Sequence, residues 1–229
     1  MFVDLTPEQH ALRLKVRDYF QSLMTPELRA ALRGMEGGDL YRDTVRKIGR
    51  DGWLALGWPK EHGGQGYAAT EQLIFFEEAN IAGAPLPFVT ISTVGPALME
   101  FGTAKQKQKF LQGIAAGEIL FSIGYSEPGA GSDLAGMKTT AVDKGDHYEL
   151  NGSKVFISNG LLADLVIVAA KTDPSNKHGM GLFLVERDMP GFERGTPLKK
   201  LGMKSQDTAE LFFNNVKVPK ANLLGDARG

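Results

Sequence analysis

The chain has 229 residues, 42% of them hydrophobic, with 26 basic against 27 acidic side chains, a formal net charge of -1 and no cysteine. That supplies apolar material for one large or two smaller cores, two being the expectation, and too little charge of either sign to steer the chain toward nucleic acid or an anionic membrane. The missing cysteines exclude disulfides, thiolate catalysis and Cys-based metal sites, and fit a reducing compartment.

Met1-Phe2-Val3-Asp4 lacks the basic start and apolar run of a signal peptide, and no stretch approaches membrane-spanning length. A soluble, cytoplasmic protein without membrane insertion is therefore expected. Thr6-Pro7-Glu8-Gln9 offers an N-cap, a proline at the first helical position and a capping-box glutamine, after which Leu12, Val16, Tyr19 or Phe20, and Leu23 recur at helical spacing. Thr25-Pro26-Glu27 repeats the start signal. Further helices are predicted over residues 41–50, 70–82, 90–101 and 103–116, each closed or opened by a glycine, proline or capping threonine. Residues 58–67 form a glycine-rich loop.

Past Gly117 the pattern changes to short β-branched and apolar runs, which predict strands over residues 121–125, 138–143, 147–150, 154–158, 165–172, 181–186 and 208–213. Asn151-Gly152 is the clearest turn signal, since a two-residue hairpin needs positive φ at both centres. The expected class is α+β: a bundle-like α-helical domain over residues 1–118, then an antiparallel β-barrel or sandwich domain over 119–229, met at a tight junction near Gly117-Glu118.

Common nucleotide and hydrolase signatures fail. Gly131 to Thr139 approximates a phosphate loop but has Met137 where lysine is required, and Leu134 occupies the third glycine position of a dinucleotide fingerprint. His10, His62, His147 and His178 are dispersed, so no metal site is expected. The adjacent Glu77 and Glu78 point to different parts of a helix surface and are not a paired acid and base. Lys105, Lys107 and Lys109 form a wet helix face beside Phe110, Leu111 and Ile114.

Two segments say more. In residues 121–126, alternation places Ser122, Gly124 and Ser126 on one face, small enough for a flat ligand to lie near the backbone. Gly129-Ala130-Gly131-Ser132 can form an anion nest, provided Glu127 and Asp133 turn away from it, capping loop amides. In residues 154–158, the same period puts Lys154, Phe156 and Ser158 on one face, opposite Val155 and Ile157. An aromatic ring beside a hydroxyl suits an isoalloxazine; the commoner role of a strand aromatic is core packing, with Ser158 merely opening the Ser158-Asn159-Gly160 turn.

In residues 125–133 (YSEPGAGSD) and 154–160 (KVFISNG) the chain resembles the acyl-CoA dehydrogenase family, supported by Gly102-Thr103, by residues 107–111 and by Gly117-Glu118. The resemblance implies a helical N-terminal domain, a middle β-barrel and a C-terminal helical bundle. It implies FAD bound through Tyr125, Ser126, Gly131, Ser132, Phe156, Ile157 and Ser158, with Ser126 near the pyrimidine edge and Ser158 reaching N5. Phe156 stands where tryptophan is common. Ser132 is also implied to approach the thioester substrate.

The implied reaction is α,β-dehydrogenation of an acyl-CoA, with electrons passing to electron-transfer flavoprotein. No catalytic residue is implied here, because the glutamate base belongs to the C-terminal bundle, expected beyond Gly229. The motif also resembles forms acting on bulky substrates such as steroid side chains, some built from two different subunits, so a homo- or hetero-oligomer is expected. A non-catalytic partner subunit or acyl-CoA-binding module is the alternative, and an oxidase returning electrons to oxygen a variant within the family.

Overall fold

The structure, a computed structural model, describes residues 4–33, 37–173, 175–176 and 179–225, so His178 lies outside the described residues. The N-terminal half is built from helices α1 (Pro7–Leu23), α2 (Pro26–Leu32), α3 (Asp39–Arg50), α4 (Ala69–Ala82), α5 (Gly95–Phe101) and α6 (Ala104–Ala115). The capping signals fold as the sequence dictates. Thr6 and Gln9 close a reciprocal box on α1, and Thr103 and Gln106 do the same on α6. The helix expected over residues 90–101 opens instead as a π-turn, Thr90–Val94, because Pro96 has no N–H to continue a regular ladder.

Leu12, Val16 and Phe20 of α1 are buried against α4, where Phe20 lies 5.5 Å from Phe75 and Trp53 stacks on Phe75 at 6.2 Å. Glu77 and Glu78 are separately occupied: Glu77 accepts from Arg13 at 2.6 Å, and buried Glu78 takes both forks of Arg17 at 2.9 and 2.8 Å.

The second half contains β1 (Phe121–Gly124), β2 (Thr140–Asp143), β3 (His147–Ser158), β4 (Leu165–Lys171), β5 (Met180–Glu186), β6 (Phe192–Arg194), β7 (Thr208–Pro219) and β8 (Leu223–Leu224). They form one sheet in the order β6-β7-β3-β2-β4-β5-β8, with β1 also paired to β4. The α+β class holds, but the pairing is mixed: β1 runs parallel to β4, and β2 meets β4 in a parallel pair. The order is an open path and not a closed barrel. Of β4, Leu165 and Ile167 join the helical core while Val166, Val168 and Ala170 face a second core with Phe183, Leu211 and Val216. Both faces of this strand are thus covered, which its unbroken apolar run requires.

The expected turn at Asn151-Gly152 does not form. β3 runs straight through it, because β7 pairs with both of its halves, and the register shift between Leu150 and Gly152 is taken up by an extra residue in β7, where Asn215 has φ +52°. Gly152 has φ +147°, and a Cβ there would meet the Thr139 hydroxyl oxygen at 2.4 Å. The actual reversal lies at Lys144–Asp146, with Gly145 at φ +93° and the Lys144 N–H donating to the His147 carbonyl at 2.9 Å.

Side-chain ties fix the two halves to each other. The buried Thr90 hydroxyl donates to the Phe121 carbonyl at 2.9 Å and accepts from its N–H at 3.0 Å. Asp164 takes Arg42 at 2.5 and 2.6 Å and the Leu120 N–H at 2.9 Å. Lys109, from the basic helix face, reaches Glu186 of β5 at 2.9 Å. These contacts set the position from which β1 enters the sheet.

Candidate functional site

β1 delivers Tyr125 and Ser126 to the surface, and the chain then turns at Pro128-Gly129, where Glu127 and Ala130 exchange backbone bonds of 2.8 and 3.1 Å. Tyr125 is 36% exposed and Ser126 is partly covered. The small-residue face is no ligand floor. Ser122 is fully buried, and the space over Gly124 is filled by Lys154 Cγ and Val166 Cγ1, 3.3 and 3.4 Å from where its Cβ would stand. Alternation identified the face correctly, but its contents belong to the interior.

The loop 129–132 differs from a nest as well. None of its residues has positive φ, so the alternation that gathers N–H groups into a concavity is missing. Gly131 and Ser132 are exposed, and their N–H groups have no hydrogen-bond partner among the described residues. They remain free donors. Asp133 is exposed and lies beside Gly136, while Glu127 turns away from the loop into the interior.

Residues 154–158 break strict alternation. The register of β3 against β7 slips between Lys154 and Ile157, leaving an extra residue in β3. Lys154 and Ile157 consequently both point inward, and Val155 is buried too, so Lys154 does not share a face with Phe156. Phe156 is thrown outward at φ +59° and is 72% exposed, which overturns core packing for this ring. A bulky residue in the left-handed region is strained, and such strain is held in place by its surroundings. Ser158 is partly exposed and Ile157 is 2% exposed.

The two segments come together. The Val155 N–H donates to the Ser126 carbonyl at 2.9 Å, and Lys154 Nζ donates to the Tyr125 carbonyl at 3.1 Å. The backbone at Tyr125 and Ser126 therefore lies against residues 154–155, next to the bulge; Tyr125 and Phe156 are exposed and Ser126 and Ser158 partly so, and the free donors of Gly131 and Ser132 follow in the loop. Glu127 Oε1 accepts from Lys154 Nζ at 2.8 Å and from the Thr139 N–H at 3.0 Å, and Oε2 accepts from the Lys138 N–H at 2.6 Å. Burial pushes the Glu127 carboxyl up, but the hydrogen bonds from Lys154, Thr139 and the Lys138 N–H together outweigh it and leave it lowered to about 2. Burial pulls Lys154 down from the ordinary lysine value, and Glu127 works against that pull.

Beneath the Ser158 turn, Asn159 is buried at φ +60°, its N–H donating to the Asp207 carbonyl at 2.9 Å and its side-chain oxygen accepting from Gln206 at 3.1 Å. Buried Asp207 accepts from the Leu161 N–H at 2.6 Å, and burial raises its pKa. Glu127 does turn from the loop to cap backbone amides, as expected, although those are the amides of Lys138 and Thr139; sequence reasoning missed Lys154 and Asp207 as structural supports, and charged residues inside apolar runs were the available signal. Among the described residues, no three His, Asp or Glu side chains are placed to hold a metal ion, and no helix is long and apolar enough to cross a membrane.

The family models "Acyl-CoA dehydrogenase, N-terminal domain" and "Acyl-CoA dehydrogenase, middle domain" match residues 6–118 and 122–216. The chain is 49% identical to acyl-CoA dehydrogenase FadE26 of Mycobacterium tuberculosis, over 99% of this chain and 58% of that protein. It is 40% identical to the mitochondrial long-chain specific acyl-CoA dehydrogenase of Mus musculus, over 96% of this chain and 51% of that protein. Among solved structures, the ChsE4-ChsE5 complex from Mycobacterium tuberculosis superposes with a TM-score of 0.91 at 50% identity, covering 99% of this chain and 58% of that one. The Tcur3481-Tcur3483 steroid ACAD superposes at 0.91 and 42% identity, covering 99% and 59%. The chain thus spans somewhat more than half the length of the proteins it matches.

Proposed function

The chain belongs to the acyl-CoA dehydrogenase family, and from that premise we propose that it is the flavin-holding portion of an enzyme that dehydrogenates an acyl-CoA thioester between its α and β carbons. Members of the family are flavoproteins that use FAD. The observation that carries the reading is Phe156: an aromatic ring 72% exposed, held in left-handed backbone by a bulge, two residues before the partly exposed Ser158. Strained, solvent-facing aromatics are costly unless a ligand covers them.

The residues present fit a flat ring system with an anionic tail. Phe156 offers a face for stacking and Ser158 a hydroxyl for the ring's edge. Ser126, joined to the same surface through Val155, offers a second hydroxyl. Gly131 and Ser132 supply free N–H donors for phosphate oxygens, and we assign Ser132 a contact with the thioester as well. Ile157, buried behind the ring, contributes through its backbone. Bound FAD supplies the hydride acceptor; the protein supplies orientation and electrostatics.

Proton removal from the α carbon needs a base. Glu127 is unsuited, being buried, engaged by three donors and lowered to about 2. We assign the base to protein outside these 229 residues, and take acyl-CoA as substrate and electron-transfer flavoprotein as the electron acceptor. The ChsE4-ChsE5 and Tcur3481-Tcur3483 complexes support an assembly of unlike subunits. The test is anaerobic addition of acyl-CoA to the FAD-loaded chain, together with the partner or segment that supplies the remaining length. Loss of the visible flavin band is expected. A band that persists with every such partner, while FAD stays bound, contradicts the enzyme reading and favours a non-catalytic flavin-binding subunit.

A further inference from the structure

Glu127 and Lys154 have no part in the chemistry above, yet they are buried directly behind the surface that would perform it, 0% and 6% of the Lys154 and Glu127 side chains being exposed. Their partners are distributed in a telling way. Lys154 sits at the edge of the β3 bulge that throws Phe156 outward, and its ammonium also holds the carbonyl of Tyr125, one residue before Ser126. Glu127 follows Ser126 and, through the Lys138 and Thr139 N–H groups, holds the far end of the loop that carries Gly131 and Ser132. A single carboxylate thus staples together the exit of β1, the base of the loop and the bulge.

Stability alone does not account for a charged pair here, since apolar side chains of similar volume commonly serve a core as well or better. What a buried ion pair adds is geometry: an ammonium and a carboxylate fully engaged by named backbone groups tolerate few arrangements. The strained φ of Phe156 calls for such a constraint, because a bulge beside a loop is otherwise free to relax.

We propose that the Glu127–Lys154 pair is a positioning device that fixes the spacing of the Tyr125–Ser126 edge, the Phe156–Ser158 edge and the Gly131–Ser132 loop before a flavin binds. This rests on the flavin reading above. Neither residue touches the ligand; both act through the backbone they hold.

The test compares the 229-residue chain with its Glu127→Gln, Lys154→Met and combined Glu127→Gln/Lys154→Met variants, the last keeping an acceptor for the loop amides while removing both charges. FAD affinity is measured by titration, with the bound flavin's visible spectrum and the amide exchange of β4 as a check on the core. Variants with a protected β4 are expected to lose FAD affinity on the order of tenfold or more, the scale of one charge-assisted hydrogen bond, with an altered flavin spectrum. A folded variant that binds FAD with unchanged affinity and spectrum overturns the proposal. Amide exchange of the unsubstituted chain without FAD tests it independently of any variant. The Val155 amide should be protected like those of β4, and exchange at the rate of an exposed loop overturns the proposal. Failure of the unsubstituted chain to bind FAD would count against the flavin reading, while the Val155 exchange still decides whether the segments are pre-set.

Discussion

Truncating Phe156 separates a ligand-facing ring from a packed one. With 72% of the residue exposed, only about 50 Å² of ring surface is covered, so Phe156→Ala should cost roughly 1 kcal/mol of stability at about 25 cal/mol per Å². Phe183→Ala, at a fully buried position in the same sheet, should cost about 3–5 kcal/mol. Because φ at residue 156 is +59°, Phe156→Gly should be at least as stable as Phe156→Ala, reversing the usual strand order in which glycine is about 0.5–1 kcal/mol worse. Binding should respond the other way. Loss of a stacked ring weakens FAD by about 1–3 kcal/mol, roughly 5- to 150-fold in Kd, by analogy with bases stacked on aromatic side chains. Chemical denaturation and FAD titration of the three variants give both quantities. A Phe156→Ala variant as unstable as Phe183→Ala would show a packed ring, and one with unchanged FAD affinity would show that the ring does not face the flavin.

Ser158→Ala should cost roughly 0.5–1.5 kcal/mol of FAD binding, the worth of one neutral hydrogen bond, with thermal stability little changed; equal affinity in a titration would make Ser158 a turn residue only. Gly152→Ala should destabilise the chain by more than about 1 kcal/mol, since φ is +147° and the added carbon would collide with Thr139, both backbone and side chain; a variant with an unchanged unfolding midpoint would contradict the strand path through residue 152. Acid should act through Glu127. Its folded carboxyl lies near 2 against 4.5 for the free group, so it contributes stability that is complete above about pH 4.5 and is lost as pH falls toward 2, up to about 3 kcal/mol. Glu127→Gln should flatten that part of the acid limb, and an identical limb in both proteins would exclude this source.

The helical half was legible because its signals are local. Thr6 with Gln9 and Thr103 with Gln106 form the reciprocal caps their spacing implies, and Leu12, Val16 and Phe20 bury the face their period marks. In the sheet, existence was easier to read than geometry. Asn151-Gly152 carries a sound hairpin signal, but the long partner β7 decides that β3 continues. Strict alternation placed Lys154 with Phe156, and a single extra residue separated them, sending one to a buried carboxylate and the other to solvent. The parallel pairing of β1 with β4 joins segments some forty residues apart through contacts that no local pattern encodes. For the same reason Glu127 and Lys154 could be recognised as unusual residues in their runs, but not as partners. The motifs themselves were readable as a resemblance, and the family models that match residues 6–118 and 122–216 bear it out.

Whether residues of this chain hold FAD is decided by counting flavin. The purified 229-residue chain, equilibrated with FAD and freed of unbound cofactor, is denatured and its released flavin is measured against protein. Near one flavin per chain is expected, with the bound spectrum perturbed by Phe156→Ala. A colourless chain that retains no added FAD would contradict the flavin reading.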